Sequence, residues 1–366
     1  MIIEHVEVRA VEIPLKATFR TSQSSQDSRR SLLVHIVTDA SEGWADLSVE
    51  DEPIFGHEFI GATWVALEEL LIPALRSGAL GSASHASERM RGVVGHPSAK
   101  AALELALLDA ELRTAGMSLS HYLGGTRERV DVGVSIGIAD SVGELIGTVA
   151  AFLEDGYGRV KLKVQPGWDS EPIRAIREAF GAELDLQVDG NGAYRSSDLR
   201  HVASWESFAL TMIEQPFAAD DLASHARLGA RITTPVCLDE SIASAAGAAG
   251  AVSSGACTVV NIKPGRVGGY LEARRVHDVC QALSVPVWCG GMLESGVGRA
   301  ANLALASLPN FQFPGDISAT SRYFAEDICP PFVLTDGKLD VPHGPGIGVE
   351  VDPQALDRFT VRCVSL

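Results

Sequence analysis

A chain of 366 residues that is 46% hydrophobic and 21% charged, with no apolar run of ~18 residues, is globular and large enough for about two domains; collagen-like, disordered and helical membrane-spanning classes drop out. Lysine and arginine total 30 against 47 acids, a net charge of −17 with no basic run to offset it, so nucleic acid is not expected as a partner. The opening Met1-Ile2-Ile3-Glu4-His5-Val6-Glu7 lacks the basic and long apolar stretches of a signal peptide, so a cytoplasmic location is expected. Six cysteines, Cys237, Cys257, Cys280, Cys289, Cys329 and Cys363, contain no Cys-x-x-Cys and read as buried reduced thiols.

Residues 1–125 read as α+β. Two strand-like runs, Val6 to Leu15 and Ser31 to Thr38, flank the polar segment Thr21 to Ser28, whose composition predicts a mobile loop. Helical patterns follow over Ala62 to Leu75 and Ser98 to Thr114, the second an Ala/Leu stripe closed by Gly116. From Val130 the texture changes to short β-branched runs, each followed by a helical pattern, which is the signature of βα units. Eight candidate strands are Val132 to Ile138, Arg159 to Val164, Asp185 to Asp189, Thr211 to Gln215, Pro235 to Asp239, Thr258 to Lys263, Pro286 to Cys289 and Phe311 to Pro314. Lys163, Asp189, Glu214, Asp239 and Lys263 follow one another at intervals of 26, 25, 25 and 24 residues, which favours a (β/α)8-type barrel over an open sheet. Beyond it, Leu339 to Leu366 holds a last strand-like run, Phe359 to Val364, expected to return to the first domain.

Parallel barrel strands are almost continuously apolar, yet five of these carry charges at or near their carboxyl ends: Lys161 and Lys163, then Asp189, Glu214, Asp239 and Lys263. Those ends converge on one face of a barrel, and three acids so close cannot all stay ionised without a cation. Oxygen ligands without His or Cys suit Mg²⁺, with Mn²⁺ as a substitute. Lys161 and Lys163 lie two apart on a strand and point the same way, where two ammonium groups depress each other's pKa. Lys263 comes from the strand four positions further round, so a substrate on the metal would have a lysine on each face of its reacting carbon. A metal between opposed bases fits proton abstraction next to a carboxylate.

These residues, in the segments Lys161-Leu162-Lys163, Gln187-Val188-Asp189, Ile213-Glu214-Gln215-Pro216, Leu238-Asp239-Glu240-Ser241, Val260-Asn261-Ile262-Lys263-Pro264-Gly265-Arg266 and Trp288-Cys289-Gly290-Gly291-Met292, resemble the enolase superfamily. Within its muconate-lactonizing subgroup the chain is most similar to the o-succinylbenzoate synthase / N-acylamino acid racemase family. The resemblance implies a (β/α)7β barrel over residues 126–320, an α+β cap over 1–125, and a segment 321–366 returning to that cap. It implies Mg²⁺ on Asp189, Glu214 and Asp239, Lys163 as base in a syn dehydration giving o-succinylbenzoate for menaquinone biosynthesis, and Lys263 as enediolate stabiliser and second base in racemisation. Lys161 would hold the substrate carboxylate. Asn191 would lie near the metal, and Ser135, Gly291, Met292, Phe19 and Ile317 match substrate-lining positions, with Glu240 behind the metal ligands. A homo-oligomer acting on a small carboxylate, away from membranes, is the implied state.

Some features are this chain's own. The cap segment Val49 to Phe55 is acidic, with Phe55 where relatives often have Tyr. Asp316-Ile317-Ser318 stands where dipeptide epimerases carry Asp-x-Asp, which argues against binding a free α-ammonium group. Gly190 and Gly192 give backbone freedom around Asn191. Arg266, three after Lys263, is expected to lower the pKa of that lysine and so favour racemisation. Further readings are a muconate-type cycloisomerase or a dipeptide epimerase, and a non-catalytic barrel that binds an acidic metabolite through its metal; the last has no use for opposed lysines.

Overall fold

The computed structural model describes every residue except Ser22, Gln23, Ser48 and Phe55. Strands β1 (Ile3–Arg20), β2 (Ser25–Thr38) and β3 (Glu42–Leu47) form an antiparallel meander, and Val6, Val8 and Ala10 alternate onto its buried face. Helix Pro97–Ala115 packs on this sheet and ends on Gly116 in the left-handed conformation, φ 65°. It comes so close that a Cβ on Gly43 would lie 2.1 Å from Ala106 O, which requires glycine there. The pattern Ala62 to Leu75 is helical, but in three pieces: Ile60–Val65, a π-type segment Ala66–Leu71, and Ile72–Leu75, where Pro73 has no N–H to give to the preceding turn.

The predicted loop Thr21 to Ser28 is mostly not a loop. Ser25–Ser28 belong to β2, where Ser25 pairs with Arg20 and Gln26 with Phe19, while Ser22 and Gln23 lie outside the described residues. Polar composition misleads here because backbone pairing, not burial, sustains a two-stranded ribbon that extends beyond its sheet's core. The ribbon is tied to the rest of the chain: Ile138 N–H donates to Arg20 O at 3.0 Å and Lys16 N–H to Tyr323 O at 2.8 Å.

After β4 (Arg129–Asp131), seven parallel strands follow: β5 (Val134–Ile136), β6 (Arg159–Lys163), β7 (Asp185–Asp189), β8 (Met212–Glu214), β9 (Val236–Leu238), β10 (Val259–Ile262) and β11 (Val287–Cys289). They stand side by side in sequence order as one curled sheet, with helices such as Val142–Glu154, Ser170–Phe180 and Tyr270–Ala282 in the connections. The eighth expected strand, Phe311 to Pro314, is corrected: it survives as isolated bridges, Phe311 to Val287 and Gly315 to Val132. Pro314 has no N–H for a ladder, so the segment touches both sheet edges without forming a strand. β12 (Lys338–Asp340) pairs with β4, and β13 (Thr360–Ser365) pairs antiparallel with β1, Val364 opposite Val8, so the end of the chain does return to the first sheet. Five cysteines are buried, but Cys363, on the outer strand β13, is exposed. Among the described residues no helix is long and apolar enough to cross a membrane.

Candidate active site

Register brings the expected charges together. Lys163 pairs with Asp189 across β6 and β7, Asp189 with Glu214 across β7 and β8, and Asp239 and Lys263 each stand one residue past β9 and β10. Asp189, Glu214 and Asp239 are fully buried. Lys163 Nζ donates to Asp189 Oδ2 at 2.6 Å and Asn191 Oδ1 at 2.7 Å, and Lys263 Nζ to Asp239 Oδ2 at 2.9 Å. Arg266 Nη2 lies 3.1 Å from the other oxygen of Asp239. Lys161 Nζ sits 3.0 Å from Glu214, 3.2 Å from Asp189 and 2.6 Å from Asp316, above the face of Trp288 at 4.9 Å from its centroid.

Burial and charge pull these groups in opposite directions. Burial would raise Asp189 and Asp239, but Lys163 and Lys161 beside the first, and Arg266 and Lys263 beside the second, hold both below the usual carboxylate range. Glu214 is different: burial and the neighbouring Asp189 push it up to about 8. Glu240 is raised by burial and by Asp239. The expected mutual depression of Lys161 and Lys163 is corrected for Lys161. Burial would lower it, but Asp316, Glu214 and Asp189 outweigh burial and raise it well above its ordinary value. Among the described residues no three His, Cys, Asp or Glu side chains are arranged to hold a metal; the lysine ammonium groups stand among the acids instead.

A small cavity of 60 Å³ is lined by all three lysines together with Phe19, Glu50, Ile54, Ser135, Gly291, Met292 and Asp316. Lys263, Glu50 and Met292 also line a cavity of 1070 Å³ between the cap helix and the strand ends, which Asn191, Glu240 and Arg266 border. The larger space is therefore not where the lysines meet; the smaller one is. Gly291 is required, since a Cβ there would lie 2.4 Å from Asp316 O. Asn191 has left-handed backbone, φ 44°, donates its N–H to Asp189 Oδ1 at 2.9 Å, and donates Nδ2 to Glu240 at 3.0 Å. Its flanking glycines now have a reason: Gly192 has φ 71°, and a Cβ on Gly190 would lie 2.9 Å from Pro216 Cα. Phe19 packs edge-on against Tyr323 at 5.9 Å. Ile317 is the exception among the substrate-lining candidates, because it is buried in the hydrophobic core and lines neither cavity. Phe55 lies outside the described residues.

Three residues to which the sequence reading gave no role complete the site. Asp316 joins Lys161 to Arg159 Nη1, the latter at 2.7 Å, and both bases hold its carboxyl low against the effect of burial. Gln215 accepts the Asp239 N–H through Oε1 at 2.9 Å, bracing that acid from the neighbouring strand. The signal for Arg159 and Asp316 was a charge opening one apolar strand segment and another just past the last expected strand.

Comparison with known proteins agrees with this geometry. Residues 3–124 match the mandelate racemase / muconate lactonizing enzyme N-terminal domain, and 144–355 the enolase C-terminal domain-like family. The chain is 51% identical to an N-succinylamino acid racemase from Amycolatopsis sp. over 364 residues, covering 100% of this chain and 99% of the relative. It is 43% identical to an o-succinylbenzoate synthase from Geobacillus kaustophilus, covering 98% and 96%. A crystal structure of an enolase superfamily member from Listeria innocua superposes with TM-score 0.95 at 37% identity, covering 100% of this chain and 99% of that one.

Proposed function

The chain belongs to the enolase superfamily, and from that premise we propose that it abstracts the α-proton of a small carboxylate as an o-succinylbenzoate synthase, an N-succinylamino acid racemase, or both. The observation that carries this reading is the single cavity walled by Lys161, Lys163 and Lys263 above buried acids. A binding protein needs a cation for its ligand but has no use for two further lysines on the reacting carbon.

Enzymes of the superfamily are typically Mg²⁺-dependent, and Asp189, Glu214 and Asp239 fit that ion, with Mn²⁺ able to replace it. All donors are oxygen and fully buried, and this crowding of three acids, met here by the lysine ammonium groups, is the chemistry that supports a hard cation among them. When bound, the ion supplies positive charge against the negative charge developing on the substrate carboxylate. Lys163 takes the α-proton, and the electron pair of that C–H bond moves toward the carboxylate. In dehydration the C–O bond then breaks on the same face and the hydroxyl leaves as water, taking the proton from Lys163, while Lys263 stays protonated and faces the developing charge. In racemisation Lys263 returns a proton to the opposite face, and configuration inverts. Lys161, kept cationic by Asp316, holds the carboxylate. Ser135, Phe19, Gly291 and Met292 border the substrate; Asn191, backed by Glu240, steadies Lys163, and Arg266 backs Lys263 through Asp239.

The same reading takes the barrel as (β/α)7β over 126–320, closed by the bridging segment at Phe311 and Gly315, with a cap over 1–125 completed by 321–366. It makes the protein a cytoplasmic homo-oligomer whose other partner is its small substrate. Proton NMR of N-succinyl-L-phenylalanine in D₂O, with Mg²⁺ and with EDTA, tests it. Metal-dependent loss of the α-proton signal together with optical rotation is expected; retention of both in the presence of Mg²⁺ removes the racemase arm and leaves the synthase assay to decide.

A further inference from the structure

A run of buried polar side chains outside the catalytic ring joins the cap to both loops on the Lys263 side of the cavity. It begins at Glu104 on helix Pro97–Ala115, whose Oε1 accepts the N–H of Leu271 at 3.0 Å, in the first turn of helix Tyr270–Ala282. Tyr270 donates its hydroxyl to Asn302 Oδ1 at 2.8 Å, Asn302 donates Nδ2 to Glu294 Oε1 at 3.0 Å, and the same oxygen accepts the N–H of Met292 at 2.9 Å. Glu104, Tyr270 and Asn302 are only 2%, 5% and 3% exposed. The cap helix also reaches the near end of the Pro264–Gly269 turn, where Ser98 Oγ donates to Gly265 O at 3.2 Å. At the far end a Cβ on Gly269 would lie 2.2 Å from Glu104 Oε1, so only glycine allows the carboxylate this close. One helix thus grips both ends of the turn that begins after Lys263 and contains Arg266, and the relay runs on to the Gly291–Met292 loop.

We propose that Glu104, Tyr270, Asn302 and Glu294 are positioning residues that set the Lys263 turn and the Gly291–Met292 loop from the cap, and leave Lys163 untouched. The inference rests on the proton-abstraction reading above. Hydrogen bonds in a dry interior are directional, and breaking one strands a buried donor or acceptor, so the relay allows the two loops few alternative geometries. Lys163 takes its partners, Asp189 and Asn191, from the neighbouring strand and its loop, and neither touches the relay.

The test follows α-proton exchange in D₂O for each enantiomer of N-succinylphenylalanine, with Lys163→Ala and Lys263→Ala identifying which enantiomer reports each lysine. Tyr270→Phe and Asn302→Leu are expected to slow the exchange performed by Lys263 about 10- to 100-fold, the scale of a base misplaced by ~1 Å, and to leave Lys163 exchange within about twofold. Glu104→Gln, which keeps an acceptor oxygen, should retain Lys263 exchange that Glu104→Leu loses. Equal losses on both faces, or no loss, overturn the proposal. Tyr270→Phe removes a single oxygen and keeps the test open where Asn302→Leu fails to fold. Backbone amide exchange by mass spectrometry reads the same point without substrate: residues 264–269 and 290–295 should exchange faster in the variants and 160–164 should not, and unchanged loops overturn the proposal. A wild-type protein that exchanges neither enantiomer removes the racemase arm of the functional reading instead, and the loop amides then decide the positioning proposal by themselves.

Discussion

Lys163 and Lys263 face one small cavity, yet they are held in different ways. Lys163 ends strand β6 and finds its partners on the next strand and its loop, so the barrel alone fixes it. Lys263 stands just past β10, bonded to Asp239, which also meets Arg266, and the turn that follows it is gripped by a helix of the cap. The difference teaches that one active-site wall is a property of the sheet and the other a property of the joint between two parts of the chain. Chemistry that uses only the first wall should tolerate disturbance of the joint; chemistry that needs both should not.

The largest effects should come from the bases themselves. Lys163→Ala and Lys263→Ala should each lower racemisation by at least about 10²- to 10⁴-fold with circular dichroism unchanged, and turnover retained in either variant would remove that lysine from the mechanism. Chelation by EDTA should abolish dehydration and racemisation alike, with recovery on adding Mg²⁺; activity that persists in EDTA would refute the role given to Asp189, Glu214 and Asp239. A smaller and one-sided loss is expected for Arg266→Gln, since Arg266 reaches the Lys263 wall through Asp239. Racemisation should fall about tenfold or more while dehydration, in which Lys263 transfers no proton, falls less; equal losses would erase the distinction between the walls.

The last effect leaves activity aside and concerns stability at the joint. Burial pushes the Glu104 carboxyl from its ordinary 4.5 up to about 7, against the opposing bonds from the N–H groups of Leu271 and Tyr270 and the charge of Arg275, and with Glu272 adding to the rise. Between those values the folded chain keeps a proton on Glu104 that the unfolded chain has released, so the contribution of this one group to stability is full below about pH 4.5 and is lost as pH rises through 7, by up to about 3 kcal/mol. Glu104→Gln should flatten that decline in urea titrations at pH 5 and pH 8, and an unchanged slope would place the titration elsewhere.

Seven of the eight strands were legible because a buried parallel strand shows as a short β-branched run, and the charges at their ends stood out against it. The eighth failed on Pro314, whose missing N–H outweighs the apolar residues before it. The ribbon of β1 and β2 was misread because pairing between polar stretches leaves no hydrophobic period. Within the site, the lysines and acids could be read because they recur in phase. The roles of Asp316, Gln215, Glu104 and Asn302 could not: each acts through partners distant in sequence, and only the folded chain brings those partners near.

The pairing of β13 with β1 bears on how the chain folds. Val8 and Val364 meet across nearly the full length of the sequence, while β2 pairs with β1 through a hairpin. Closing so long a loop adds little to the final free energy but postpones the contact, which makes docking of β13 a late event in refolding. Until then the edge of β1 offers unpaired N–H and C=O groups to any extended strand, including one from another copy. Refolding yield should therefore fall as protein concentration rises, and dilution should restore it.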